Sequence, residues 1–168
     1  LGFDAAPVLE PDLLGTYFAG TAELEGSALI AGTGSVAGRV AGGSLDFSRG
    51  GTGWLLGDAG SGFWVGHRVA RAVVASLDQL GPATALTDPV LRSFGIERRP
   101  GGLRGRPYAL IRLMEELYAL RPVDLARLAP FAFAAPGDEV SRGILTEAAQ
   151  ALAELLGATR AVGDGGPI

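Results

Sequence analysis

Three short stretches carry residues whose types and spacing could do chemistry. The first, "AGTGS" at residues 31–35, sets two glycines, a threonine and a serine between two apolar, partly β-branched stretches. Glycine lets a backbone approach a ligand closely and turn its N–H groups inward, and Thr33 and Ser35 add hydroxyls. Gly32, Thr33, Gly34 and Ser35 therefore suit an anion, of which phosphate is the usual one. The same four residues also read as an ordinary glycine-rich hairpin turn. They are not a Walker A loop, because the chain contains no lysine. The second stretch, "GGTGWLLGDAGSG" at 50–62, places Asp58 just ahead of an expected helix, where open N–H groups and the helix dipole favour negative charge. A carboxylate there reads either as a helix cap or as an acceptor for ligand hydroxyls, as sugar sites require. The third is Asp12, ahead of "LLGTYFAGT", which reads as a helix cap on local pattern.

The remaining candidates read as structural. His67 is the sole histidine and falls inside the helix after the glycine loop, a packing or surface position. Trp54, Phe63 and Trp64 stand at a loop–helix junction, where aromatic residues are more often core than cleft lining. Glu115-Glu116 and Arg98-Arg99 read as solvated faces. The carboxylates show no metal-ligand spacing, so a magnesium ion would arrive with a nucleotide.

Composition narrows the function classes. The 168 residues contain no cysteine, which removes disulfides, thiolate nucleophiles and cysteine-held metals from this sequence. All 14 basic residues are arginines, dispersed in a chain of net charge −4, so no basic stripe offers a nucleic-acid partner. No stretch approaches the roughly 18 consecutive apolar residues of a membrane-spanning helix, and no membrane partner is expected. The first residue is leucine and the last stretch, "AVGDGGPI", ends on apolar residues after a turn. Both ends read as cut through structure, so a fragment of a longer chain is expected.

The elements that must position these residues follow from periodicity. A short helix is expected after Asp12, then strands at 27–31 and 35–41 flanking the Gly-Thr-Gly-Ser turn, with "SLDF" (44–47) a third. A glycine-rich loop leads to a helix in which Phe63, Val65, Val69, Val73, Val74 and Leu77 recur at helical spacing, ending at Gly81-Pro82. Thr87-Asp88-Pro89 opens a short helix. The loop "RRPGGLRGRP" (98–107) precedes a helix carrying Ala109, Leu110, Leu113, Met114, Leu117 and Leu120. A short helix at 123–131 is expected to break at Pro130, and Asp138 to cap a long amphipathic helix running from Val140 to Leu156. The fold class is mixed α/β, an α+β arrangement with the hairpin and its glycine loops at one end of a sheet.

In order and spacing, Asp12-Leu-Leu, Ala31-Gly32-Thr33-Gly34-Ser35, Gly53-Trp54-Leu55-Leu56-Gly57-Asp58-Ala59-Gly60-Ser61 and Gly137-Asp138-Glu139-Val140 resemble the BadF/BadG/BcrA/BcrD ATPase family, and within it the N-acetylglucosamine and glucosamine kinases. The resemblance spans nearly the whole chain and rests on two glycine motifs in tandem. It implies a partial ribonuclease-H-like, actin-like ATPase domain with a helical insertion. Residues 1–21 would end an N-terminal lobe and 22–168 would form a second lobe. The family's first phosphate hairpin and its adenosine motif would lie outside these rows. It implies a cytoplasmic hexosamine kinase that uses ATP and Mg²⁺, with the sugar and ATP as partners and a homodimer as the candidate assembly. "AGTGS" would be the second phosphate motif, and Asp12 the base that accepts the proton of the attacking sugar hydroxyl. Thr33, Ser35, Gly51, Thr52 and Asp58 would bind the sugar. Two departures fall at that pocket: Gly51-Thr52-Gly53 stands where the family usually has Gly-Trp-Gly, and Ala59 where glutamate is common. Two other readings remain: a non-catalytic sugar- or nucleotide-binding domain, and an ATPase activator of a dehydratase. The second needs cysteines for its iron–sulfur cluster, which this sequence lacks.

Overall fold

The structure, a computed structural model, describes residues 10–103, 105–160 and 167–168. The sequence expectations for residues 1–9 and 161–166 lie outside these. The element order is α1 (Asp12–Gly20), β1 (Gly26–Ala31), β2 (Ser35–Ala41), β3 (Ser44–Gly50), α2 (Gly62–Leu77), α3 (Thr87–Ser93), β4 (Gly102–Leu103), β5 (Arg106–Pro107), α4 (Tyr108–Ala119), a 3-10 helix (Pro122–Leu128), α5 (Ala129–Ala134) and α6 (Glu139–Gly157). The mixed α/β class holds.

β1, β2 and β3 form an antiparallel meander in that order, with Leu29 opposite Ala37 and a bulge at Arg39/Val40. Side chains alternate between the two faces of a sheet. Ala28, Ile30, Val36 and Val40 therefore share one face, where Leu13, Leu14 and Tyr17 of α1 cover them. The other face meets α6, which packs against β1 and β2. Beside β1 lies Pro167, whose carbonyl accepts the Ser27 amide at 3.0 Å.

The helical half has its own core, built on Val65, Val69, Ala70 and Val73 of α2 with Leu86, Val90, Leu113, Leu128 and Ile144 from the surrounding helices. The 3-10 helix lies directly on α2. A Cβ on Gly66 would stand 2.8 Å from the Leu125 carbonyl carbon and 3.2 Å from Ala126 Cα, so only glycine permits that approach.

Several boundaries differ from the sequence reading. Pro11, not Asp12, is the N-cap of α1, and Asp12 is its first helical residue with no capping bond. Proline at the cap leaves Asp12 in helical geometry, where its charge still suits the dipole. β3 runs to Gly50 because its ladder continues, Val36 pairing with Gly50. The 98–107 loop contains the small β4–β5 hairpin. Pro130 is the second residue of α5 rather than a helix breaker, since the first turn has no amide bond to lose.

Asp138 caps α6 as expected, accepting the Ser141 amide at 2.9 Å. It also accepts the Thr84 hydroxyl at 3.0 Å and the Ala85 amide at 2.8 Å, tying the start of α6 to the segment before α3. Burial alone would raise its pKa, but the bonds from Ala85, Ser141 and Thr84 hold the carboxyl below its usual range. A group with a depressed folded pKa contributes stability above its unfolded pKa and loses it as pH falls through the folded value. Asp138→Ala is expected to cost about 1–3 kcal/mol at neutral pH in denaturant unfolding. The difference between wild type and Asp138→Asn should shrink as pH drops below about 4, the ordinary carboxylate value.

Candidate functional site

The Gly32-Thr33-Gly34 turn closes the β1–β2 ladder at Ala31 and Ser35, and the Gly32 amide donates to the Gly34 carbonyl at 3.0 Å. Helix α2 starts directly behind it. Its first two amides, Gly62 and Phe63, donate to the carbonyls of Gly32 (2.8 Å) and Thr33 (3.1 Å). The third, Trp64, is satisfied by the N-cap hydroxyl of Ser61 at 3.2 Å. These donors would otherwise be orphans at a helix start. The open helix N-terminus expected from the sequence is thus filled by the turn itself.

That arrangement aims the turn. In a trans peptide the C=O of one residue points opposite to the N–H of the next. The carbonyls of Gly32 and Thr33 face α2, so the amides of Thr33 and Gly34 face away from it. Neither amide has a partner among the described residues, and Thr33 is exposed. Two outward N–H groups, the Thr33 hydroxyl and the positive end of α2 behind them make a cradle for an anion.

Ser35 locks the cradle to the second glycine loop. It is buried, and its amide donates to Asp58 Oδ1 at 3.1 Å. Its hydroxyl donates to the Ala59 carbonyl at 3.0 Å, and its carbonyl accepts the Gly51 amide at 2.8 Å. Asp58 is also buried and sits at φ 59°, a left-handed backbone that aspartate tolerates better than most residues. It is not the cap of α2, a role Ser61 fills. Its second oxygen, Oδ2, has no hydrogen-bond partner among the described residues. Gly34 must be small: a Cβ there would lie 2.9 Å from Asp58 Oδ1.

Gly32, Thr33, Gly34, Ser35, Gly51, Thr52 and Asp58 are therefore gathered at one end of the sheet, with Gly51 and Thr52 exposed. Asp12 lies on a separate element. Tyr17 of α1 reaches the Glu25 carbonyl before β1, while Leu13 lies against Gly38, which pairs with Ala28. The helix thus runs antiparallel to β1, and its N-terminal end points toward the turn. Asp12 is exposed there and makes no side-chain hydrogen bond among the described residues.

His67 is not placed as a base. Its ring stacks on Phe63 with centroids 5.7 Å apart, and burial first, then Arg71 and Arg68, lower its pKa. Trp54 meets the edge of Phe63, and Trp64 carries Arg68 over its ring. Among the described residues no group of three or more His, Cys, Asp or Glu could hold a metal ion.

The sequence reading missed the wall facing the turn. A depression of about 380 Å³ has Gly32, Thr33 and Gly62 on one side and Ala126, Ala129, Pro130 and Phe133 on the other, with Phe133 65% exposed. Its only sequence signal is an apolar α5 residue left facing solvent.

Comparison with known proteins decides the family. The family model for the BadF/BadG/BcrA/BcrD ATPases matches residues 12–166. The chain belongs to that family. Among curated proteins, an N-acetyl-D-glucosamine kinase of Dictyostelium discoideum is 35% identical over 143 residues, covering 80% of this chain and 40% of that protein. Two crystal structures described as N-acetylglucosamine kinases share its fold. The one from Chromobacterium violaceum has a TM-score of 0.68 at 28% identity, over 87% of this chain and 46% of its own. The one from Porphyromonas gingivalis has a TM-score of 0.60 at 25% identity, over 82% and 44%. The chain thus spans less than half the length of each of these relatives.

For this BadF/BadG/BcrA/BcrD-family chain, Gly34→Ala is expected to cost about 1–3 kcal/mol in denaturant unfolding, because the added methyl crowds the Asp58 carboxylate. The cost should shrink in an Asp58→Ala background, where the crowding is gone; a double-mutant cycle reads the coupling.

Proposed function

We propose that this chain is part of an ATP-dependent amino-sugar kinase, acting on N-acetylglucosamine or glucosamine. The observation that carries the reading is the pair of outward amides on Thr33 and Gly34, fixed by α2 and by Ser35 beside an open depression. Phosphoryl transfer asks little covalent chemistry of a protein and much positioning of charge. A rigid set of N–H donors behind a phosphate answers that need. The resemblance of the chain to proteins called N-acetylglucosamine kinases supports the substrate class.

In this reading residues 22–168 form one lobe of the cleft and 1–21 lead into it, with the helices after β3 as an insertion. Phosphate oxygens of ATP sit on the amides of Thr33 and Gly34 and on the Thr33 hydroxyl. Ser35 positions these groups rather than touching the ligand. The wall at Ala126, Pro130 and Phe133 offers apolar contact to the rest of the nucleotide. Asp58 Oδ2, Thr52 and the backbone at Gly51 face the sugar, and a carboxylate oxygen with an open lone pair is a strong acceptor for a sugar hydroxyl. Mg²⁺ bound to the ATP phosphates, with no ligand set of its own among the described residues, would neutralise their charge. Asp12 accepts the proton of the attacking hydroxyl while its oxygen bonds to the γ-phosphorus. The bond from that phosphorus to the β–γ bridging oxygen breaks, and ADP leaves.

A coupled assay on the full-length protein with glucosamine, N-acetylglucosamine, N-acetylmuramic acid and glucose tests the class. The highest kcat/KM is expected for glucosamine or N-acetylglucosamine, and a best substrate outside the hexosamines refutes it. Asp12→Asn separates catalysis from structure. Because Asp12 makes no cap, the variant should melt within a degree or two of wild type, since losing one exposed charge near a helix start is worth only a few tenths of a kcal/mol or so. Turnover should fall by roughly 10²–10⁴ with little change in KM for the sugar. Near-normal turnover removes Asp12 from the mechanism.

A further inference from the structure

A second cavity, of about 1050 Å³, lies away from the turn: none of the residues that line it lines the depression at Gly32 and Thr33. Its size is at the top of the range of about 300–1,000 Å³ usual for small-molecule sites. His67, Arg71 and Val74 of α2 line it at i, i+4 and i+7, and Leu110, Met114 and Leu117 of α4 line it at the same spacing. Residues so spaced share a helix face, so the cavity is a groove between the two helices. Leu110 in its lining is fully buried, so the groove reaches the core. Leu80 and Tyr118, also in its lining, are 81% and 87% exposed and leave apolar surface that an occupant would cover.

The charges in the lining are mostly spoken for. Arg68 pairs with Glu147 of α6 at 2.9 Å, and Arg106 approaches Asp78, the one carboxylate in the lining, at 4.0 Å. These pairs tie α2 to α6 and to β5, so the groove is formed before anything enters it. Arg71 alone among the lining arginines has no ion pair or hydrogen bond among the described residues. His67 stands one turn before it. Burial first, then Arg71 and Arg68, lower the His67 pKa, so at neutral pH its ring is an uncharged donor beside a free guanidinium. A guanidinium is complemented by a carboxylate, which takes two parallel N–H bonds from it. The apolar remainder of the groove is complemented by an alkyl chain.

We propose that the groove between α2 and α4 binds an aliphatic monocarboxylate, a medium-chain fatty acid, with its carboxylate on Arg71 beside His67 and its chain over Val74, Met114 and Leu117. The inference is independent of the kinase reading. Isothermal titration calorimetry of the full-length protein with octanoate, decanoate and dodecanoate, each as monomer in solution, tests it. One site is expected, with affinity rising about fourfold for each CH₂ buried. Dodecyltrimethylammonium, with the same chain and the opposite charge, should bind at least about 10-fold more weakly than dodecanoate. Arg71→Ala should weaken dodecanoate binding about 10-fold or more, the usual worth of a hydrogen bond to a charged group, whereas Arg49→Ala, at an exposed cation on β3, should not. Since Arg71 is exposed, its variant should keep the circular dichroism spectrum of wild type. The proposal is overturned by no saturable binding of any of the three acids, as a groove filled only by a protein segment would give, or by affinity that ignores chain length. Equal binding of dodecyltrimethylammonium, or an equal effect of Arg71→Ala and Arg49→Ala, overturns it as well.

Discussion

The clasp between the start of α2 and the β1–β2 turn is the contact on which the rest of the site depends. Two helix amides need acceptors and two turn carbonyls need donors, and each pair satisfies the other. This leaves only one direction for the remaining turn amides, away from the helix. A hairpin of this length is ordinarily adaptable; here its peptide planes are fixed by a buried helix. Ser35 adds three bonds to the glycine-rich loop, so sheet, loop and helix meet at one residue.

The helical half holds α2 in place for that clasp. Close contact of Gly66 with the 3-10 helix seats Ala126 and α5 beside the turn, which is why an apolar wall lines the depression that Gly32 and Thr33 border. Asp138 anchors the other end of the assembly by linking α6 to the segment before α3. Since α6 also covers the sheet, the cap of one helix helps set the spacing between the two halves. The outward set of the Thr33 and Gly34 amides is thus a product of packing across the described residues rather than of the glycine motif alone.

The family assignment and the geometry bear on different levels. The match over residues 12–166 fixes membership, and two structures with TM-scores of 0.68 and 0.60 fix the fold. The departures at Thr52 and Ala59 lie on the loop that Ser35 and Asp58 hold, so they alter the pocket's chemistry without disturbing its scaffold. A threonine offers a hydroxyl where a tryptophan would offer a flat apolar face.

Local chemistry was enough to read the strands around the turn, the α2 and α6 helices and the Asp138 cap, because periodicity, turn residues and capping act over a few neighbours. The same locality explains the misreadings: proline at position 11 displaced Asp12 from the cap, and proline at 130 entered the first turn of a helix. The glycine motifs also pointed to an anion site. The sequence by itself determined that Gly32 to Ser35 would make a tight glycine turn and that a helix would follow Asp58. Only the tertiary structure decided that Ser35 faces inward, that Asp58 supports Gly34, that α2 spends its first amides on the turn, and that Phe133 stands opposite Thr33. Those outcomes depend on which distant backbone groups meet, and hydrogen bonds between residues 23 to 30 positions apart are set by packing, not by local pattern.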